Sequence, residues 1–205
     1  MTTEQSPRDY WGNIDIYLFD QILKKRFDCR PRILDAGCGS GRNLVYFLRQ
    51  GFEVFAVDQS AAAIAGLRAL ASELAPTLPE TNFLENSIEE LPFPDTYFDA
   101  VICSAVLHFA DHEKQFLGMV EEMWRVLNGG GLFFARLASS IGLEERIQQL
   151  DGRRYRLPDG SDRFLVDQDF LLDLTERLGA DQLEPIKTTN VQNLRCMTTW
   201  CLKKK

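Results

Sequence analysis

The sequence predicts an α/β fold: a doubly wound, mostly parallel seven-stranded sheet with helices on both faces and a β-hairpin inserted after strand five. Three observations carry that expectation. Short apolar runs alternate with helical patterns over residues 32–137. Three glycines stand at alternate positions where the first run ends. Late in the chain, Pro158-Asp159-Gly160 separates two short runs, and Asp-Gly is a strong tight-turn signal.

Taken in order, Arg32-Ile33-Leu34-Asp35-Ala36 reads as a strand, the glycines as a turn, and Asn43 to Leu48 as the start of a helix. Glu53 to Val57 reads as a second strand closing on Asp58, after which Ser60 is placed to cap an alanine-rich helix reaching about Leu74. A short strand at Asn82 to Glu85, a longer one at Phe98 to Ser104, a helix from Glu113 to about Leu127 and a strand at Leu132 to Leu137 continue the alternation. The hairpin strands are Arg153 to Leu157 and Arg163 to Val166. A helix from Gln168 to Leu178 and strands near Leu183 to Thr189 and Arg195 to Leu202 close the chain. The organisation is one domain over residues 1–205. It has an N-terminal helical cap (1–30), a cofactor-binding core (31–137), an inserted hairpin or lid (138–166), and a C-terminal helix with two strands (167–205). At 205 residues the chain is long enough to bury a full parallel sheet.

Composition narrows the function classes. A formal net charge of −7 argues against a broad nucleic-acid surface, because nonspecific phosphate binding needs clustered Lys and Arg. No apolar run approaches the roughly 18 residues that cross a bilayer, and Met1 to Arg8 lacks the basic-then-apolar order of a secretory signal. A cytoplasmic protein is expected, without membrane or nucleic-acid partners. Five cysteines, odd in number and without a CxxC pair, suggest neither a disulfide framework nor a metal site.

The chemistry concentrates in Asp35-Ala36-Gly37-Cys38-Gly39-Ser40-Gly41, between a strand and a helix. Glycines there can adopt positive φ and leave room for a ligand that a Cβ would strike. Asp58, 17 residues after Gly41, stands at the tip of the second strand, where a carboxylate can accept from both hydroxyls of a ribose. The spacing is D-x-G-x-G-x-G, whereas a dinucleotide loop prefers G-x-G-x-x-G to hold a pyrophosphate. Asp35 would repel a pyrophosphate but suits a cationic ammonium, and Arg42 takes the place of the last dinucleotide glycine. A zwitterionic amino-acid cofactor fits this loop better.

On these residues the chain resembles the class I S-adenosylmethionine-dependent methyltransferases, specifically the small-molecule, methyltransferase type 11-like group with a Rossmann-like sheet. Ile33 to Gly41 matches the first motif, Val57-Asp58 the second, Leu91-Pro92-Phe93 with Phe98-Asp99 the third, and Leu127-Asn128-Gly129-Gly130-Gly131 the turn before strand five. The match spans about Arg32 to Leu137. The resemblance implies S-adenosyl-L-methionine as cofactor, its methionine part held by the loop of Asp35, Gly37, Cys38, Gly39 and Gly41, and its ribose by Asp58 with Gln59. An Asp-Ala pair before L-P-F commonly contacts adenine in that family. Here Ser87 and Ile88 stand at those positions, a departure, with Asn86 as a neighbour able to substitute. Ser104 is expected near the sulfonium. Of the family's frequent L-H-H, only His108 is present, since Phe109 replaces the second histidine. His108 could take a proton from an acceptor or could simply orient a loop, and His112 reads as structural.

The expected partner is a small-molecule methyl acceptor, attacked in line by its lone pair. Acceptor contacts are expected from Tyr10 and Trp11 in the cap and from Arg153, Arg154, Arg156 and Arg136, whose guanidinium donors suit a carboxylate or phosphate. Hydride transfer on a nicotinamide dinucleotide, aminopropyl transfer, a thiol-based metalloid site and a noncatalytic cofactor-binding module are weaker readings. The acceptor's identity and the oligomeric state, a homodimer among the options, lie outside what a fold and a cofactor site determine.

Overall fold

The computed structural model describes Ser6 and residues 10–205. The remaining N-terminal positions, where the expected helical cap begins, lie outside the described residues.

The main sheet is built by β1 (Arg32–Ala36), β2 (Glu53–Asp58), β3 (Phe83–Glu85), β4 (Phe98–Ser104), β5 (Leu127–Ser139), β10 (Lys187–Val191) and β11 (Arg195–Lys203). Their spatial order is β10-β11-β5-β4-β1-β2-β3, with the two-residue β9 (Asp181–Gln182) attached to β11. The pairs β1–β2, β2–β3, β1–β4 and β4–β5 are parallel, while β11 runs antiparallel to both β5 and β10. The chain therefore moves outward from β1 through β2 to β3, then returns to lay β4 on β1's other side. That reversal makes the carboxyl ends of β1 and β4 the place where a doubly wound sheet leaves a crevice.

Strand residues alternate between two apolar layers, as the period of two requires. Leu34, Val101, Cys103 and Phe133 face one layer, shared with α4 (Glu113–Val126) and α5 (Gln168–Arg177). Ile33, Ile102 and Phe134 face the other, shared with α1 (Ile16–Leu23), α2 (Val45–Arg49) and α3 (Ala61–Leu74). Trp200 is fully buried, and its indole N–H donates to Thr175 Oγ1 at 2.9 Å, so the large ring is buried with its one donor satisfied. Helix starts follow local chemistry: Ser60 accepts from the Ala63 amide, and His112 caps α4 through Nδ1, accepting from the Gln115 amide at 3.0 Å.

Several boundaries depart from the sequence reading. The glycines expected as a turn before strand five lie within β5, where the register with β4 jumps from Phe98–Leu127 to Ala100–Leu132. Such a bulge absorbs extra residues without ending a strand. The expected strand from Leu183 to Thr189 is displaced to Lys187–Val191, since Pro185 has no N–H to give a ladder. The inserted hairpin forms from β7 (Arg154–Arg156) and β8 (Asp162–Phe164), joined by a third strand, β6 (Gln148–Asp151). At its turn Gly160 has φ +84° and its amide donates to Leu157 O.

Candidate active site

At the carboxyl ends of β1, β2 and β4 lies a cavity of about 740 Å³. The loop after β1 forms its floor. Gly37, Gly39 and Gly41 all have positive φ, at +79°, +53° and +83°. The reason for glycine differs along the loop. A Cβ on Gly37 would lie 2.4 Å from Val106 Cγ2, and one on Gly41 would lie 2.6 Å from Leu67 Cδ1, so these two are required by the protein's own packing. A Cβ on Gly39 would meet nothing within 4 Å, and Gly39 lines the cavity. Of the three, it alone leaves open space above the loop.

The loop's amides are largely committed. Gly37 and Cys38 donate to Val57 O at 2.8 and 3.0 Å, Gly41 donates to Cys38 O, and Gly39 donates to Asp58 Oδ2 at 2.8 Å. A dinucleotide loop works by leaving such donors for a pyrophosphate, and this one does not. Asp58 in turn accepts from the Ser60 amide through Oδ1 at 2.9 Å. Each of its oxygens keeps a second acceptor position, and the residue lines the cavity with its neighbour Gln59.

Beneath this floor Asp35 is 1% exposed, and neither of its oxygens has a hydrogen-bond partner among the described residues. A buried carboxylate without a donor is costly. Burial pushes its carboxyl up to about 7, against the pull of Arg42 and with a further push from Asp58. Cys38 lines the cavity with its thiol pushed up by burial and by the same two carboxylates, so it is an inert neutral group.

The opposite wall is laid by residues 86–89 and by β4's end. Asn86 and Ile88 line the cavity, but the Ser87 hydroxyl is occupied by Gln59 Nε2 at 3.3 Å and by the Glu89 amide at 3.2 Å. Ser104 lines it too, accepting from Arg42 at 3.4 Å. Met119 and Gln115 on α4, together with Glu89, complete the rim. None of these three was expected from the sequence, because a helix face reveals its neighbours only once the helix is docked.

A second cavity, of about 380 Å³, adjoins the first across Arg42, Ala105 and Phe109, which line both. Ala105 holds φ +66° immediately after β4, a conformation that costs a non-glycine residue about 1–2 kcal/mol. His108 lines this second cavity, not the first. It is 7% exposed, and its Nδ1 accepts from the Ala138 amide at 3.3 Å. Burial, then Arg163 and Arg195, push its imidazole down to about 4.

Of the residues expected to meet the acceptor, Arg136 alone lines the second cavity, where its guanidinium bonds Asp15 at 2.7 Å and lies over the Tyr17 ring. Arg154 bonds Asp111, and Arg156 bonds Asp162 across the hairpin. Arg153 bonds Asp167 at 2.7 Å and covers the Phe170 ring. These three pin the hairpin and line neither cavity. Trp11 stacks on Tyr46 at 4.6 Å, and the Tyr10 hydroxyl accepts from Gln50 at 2.7 Å, which sets both on α2, away from the cavities. The N-terminal residue that does reach the site is Asp15, tied to it by its amide's bond to Asn43 Oδ1 at 3.0 Å.

Comparison with known proteins agrees with this geometry. Residues 34–135 match the model of a methyltransferase domain. A malonyl-[acyl-carrier protein] O-methyltransferase from Pectobacterium atrosepticum is 33% identical over 124 residues, 59% of this chain and 45% of that protein. A ubiquinone biosynthesis O-methyltransferase from Rickettsia felis is 32% identical over 102 residues, 49% of this chain and 40% of that protein. The matched segments thus span less than half of these two curated relatives. Among solved structures, a Pyrococcus horikoshii protein superimposes with a TM-score of 0.73 at 20% identity, covering 97% of this chain and 96% of that one. A 1,6-didemethyltoxoflavin-N1-methyltransferase from Burkholderia thailandensis gives 0.66 at 19% identity, covering 100% and 93%.

Fold, glycine loop and acidic strand end together define a Rossmann-like nucleoside-binding domain. Within that class the chain belongs to the class I S-adenosylmethionine-dependent methyltransferases.

Proposed function

We propose that this chain transfers the methyl group of S-adenosylmethionine to a small-molecule acceptor that occupies the second cavity. The observation that carries this reading is the adjacency of the two cavities across Ala105 and Phe109. The donor site and a separate acceptor space share a wall at the end of β4. The unpartnered Asp35 carboxylate below the loop, the open space over Gly39 and the acceptor positions left on Asp58 suit a ligand with a cationic amine and a ribose diol.

When bound, the cofactor supplies a methyl activated by its sulfonium charge. The protein's residues then have three tasks. Gly39, Cys38 and Asp35 accommodate the amino-acid portion, Asp58 and Gln59 the ribose, and Asn86 with Ile88 the adenine. Asn86, which lines the cavity and keeps Oδ1 to accept from the exocyclic amine while its Nδ2 donates to Ser87 O and Glu90 O, takes the place expected of Ser87, whose hydroxyl oxygen already accepts twice. Ser104 and Ala105 border the reacting centre, where the wall must hold an acceptor lone pair in line. His108 acts as a hydrogen-bond donor: with Nδ1 engaged by Ala138, the neutral ring carries its proton on Nε2. An imidazole pushed down to about 4 is a poor base at neutral pH.

Titration calorimetry with S-adenosylhomocysteine and, in parallel, NADH tests the cofactor reading. Binding of the first and not the second is expected. Binding of NADH alone would overturn it in favour of a dinucleotide enzyme.

A further inference from the structure

The second cavity carries more information about the acceptor than its position does. Four arginines line it, Arg42, Arg136, Arg163 and Arg195, in a chain whose net charge is −7. Two of them are answered. Arg136 bonds Asp15 at 2.7 Å, and Arg42 lies 4.0 Å from the same carboxylate. Arg163 and Arg195 have no carboxylate within 4.0 Å among the described residues. Arg163 spends one N–H on Asp162 O at 2.6 Å and lies over the Phe109 ring, 4.8 Å from its centroid, in the wall that separates the two cavities. Asp159 shares the cavity; its Oδ1 accepts from the Ser161 amide and hydroxyl at 2.9 and 2.6 Å, and its carboxyl is held down, against burial, by Ser161 and, from beyond ion-pair distance, by Arg195 and Arg163.

We propose that the methyl acceptor carries a carboxylate, which the second cavity takes with the guanidiniums of Arg163 and Arg195 and the Nε2–H of His108. This rests on the methyltransferase reading above. Guanidinium N–H groups fit a carboxylate in pairs, and most of the five donors on each of these arginines are uncommitted. A carboxylate is preferred over a phosphate because Asp15 and Asp159 line the same small space and repel a second negative charge. Leu157, Val191 and Met197 add an apolar patch to the same wall, which suits a short aliphatic or aromatic group as the body of the acceptor. An acceptor that arrives ionised also matches a histidine that donates and does not take protons.

Thermal melting of the protein saturated with S-adenosylhomocysteine tests this with phenylacetate and hexanoate, their uncharged amides, and inorganic phosphate. The carboxylates are expected to raise the melting temperature by about 2 °C or more at millimolar concentration, and the amides are not. The double variant Arg163→Gln/Arg195→Gln should lose that shift while keeping calorimetric affinity for S-adenosylhomocysteine within about twofold, a change below 0.5 kcal/mol. The exposed single variant Arg195→Gln serves if the double variant fails to fold, with the shift at least halved. Equal shifts from acid and amide, a shift that survives both variants, or a response to phosphate alone would overturn the carboxylate site. Cofactor binding without any carboxylate response would overturn it too, leaving the methyltransferase reading intact. Absence of S-adenosylhomocysteine binding in the parent protein would remove both.

Discussion

The two cavities that meet at Ala105 are assembled in opposite ways. The larger one is bounded mainly by residues at and just beyond the ends of four neighbouring strands, β4, β1, β2 and β3, so each wall comes from a short local segment, within 37–43, 58–59, 86–89 and 104–106. The smaller one draws Asp15, Arg42, His108, Arg136, Arg163 and Arg195 from six separate stretches of chain. A site of the first kind is held by backbone geometry and is shared by many proteins with the same sheet. A site of the second kind is held by side chains on insertions and edge strands, which can change without disturbing the sheet. On the proposed assignment, the methyl donor is recognised by the fold's constant part and the acceptor by its variable part.

The sharpest way to break this contrast is at the glycines. Gly37→Ala combines a left-handed residue with a 2.4 Å approach to Val106, and is expected to lower unfolding free energy by about 4 kcal/mol. Gly39→Ala carries only the backbone cost of about 1 kcal/mol and should instead weaken S-adenosylhomocysteine binding. Urea denaturation and calorimetry on both variants check this. Equal losses of stability would mean that Gly39 is a packing glycine as well.

Asp35 gives the next largest effect. Its carboxyl is raised to about 7 in the folded chain, so between about pH 4 and pH 7 the unfolded chain releases this proton while the folded chain keeps it. The stability lost is small at pH 4, grows as pH rises, and is complete above pH 7. Relative to Asp35→Asn, the unliganded parent protein should lose on the order of 3 kcal/mol across that window. Denaturation curves at pH 4, 6 and 8 measure the difference, and parallel curves would show Asp35 to be paired.

Asp58→Ala removes an acceptor from the Gly39 and Ser60 amides as well as from the ribose. Calorimetry should show affinity for S-adenosylhomocysteine reduced at least tenfold, about 1.4 kcal/mol. Unchanged affinity would remove Asp58 from the donor site. For the second cavity, nitrogen-detected NMR of His108 should report a neutral Nε2–H ring from pH 8 down to about pH 5.5, consistent with a group pushed down to about 4. A midpoint near 6.5 would restore it as a candidate base. The smallest effect is expected from Arg154→Ala and Arg156→Ala, which touch Asp111 and Asp162 at the surface. Neither melting temperature nor cofactor affinity should change measurably.

The larger cavity was legible because its determinants are local. Asp35, Gly39 and Asp58 announce themselves by spacing within one strand–turn–helix–strand unit, and spacing survives unaltered from sequence to structure. Ser60 as the cap of α3 was readable for the same reason. The acceptor side was not. The hairpin arginines expected to meet the acceptor, Arg153, Arg154 and Arg156, line neither cavity, whereas Arg163 lines the second, because it is the inward-turned face of β7 and β8 that decides. That direction is set by docking, with Phe164 and Leu165 buried. Arg195, at the first position of β11, had no sequence signal at all.

The sequence by itself determined the alternation of strands and helices, the crevice that a reversing parallel sheet must leave, and the glycine and acidic residues that tune it to a nucleoside with an amino-acid tail. These follow from hydrophobic period, turn chemistry and handed crossovers, all of which act over a few residues. Tertiary structure alone decided that Asp15 answers Arg136 across 121 positions, that His108 turns toward Ala138 and away from the donor cavity, and that Arg163 and Arg195 share one wall. Such pairings depend on how whole elements pack, and packing is a property of the assembled core that no local pattern encodes.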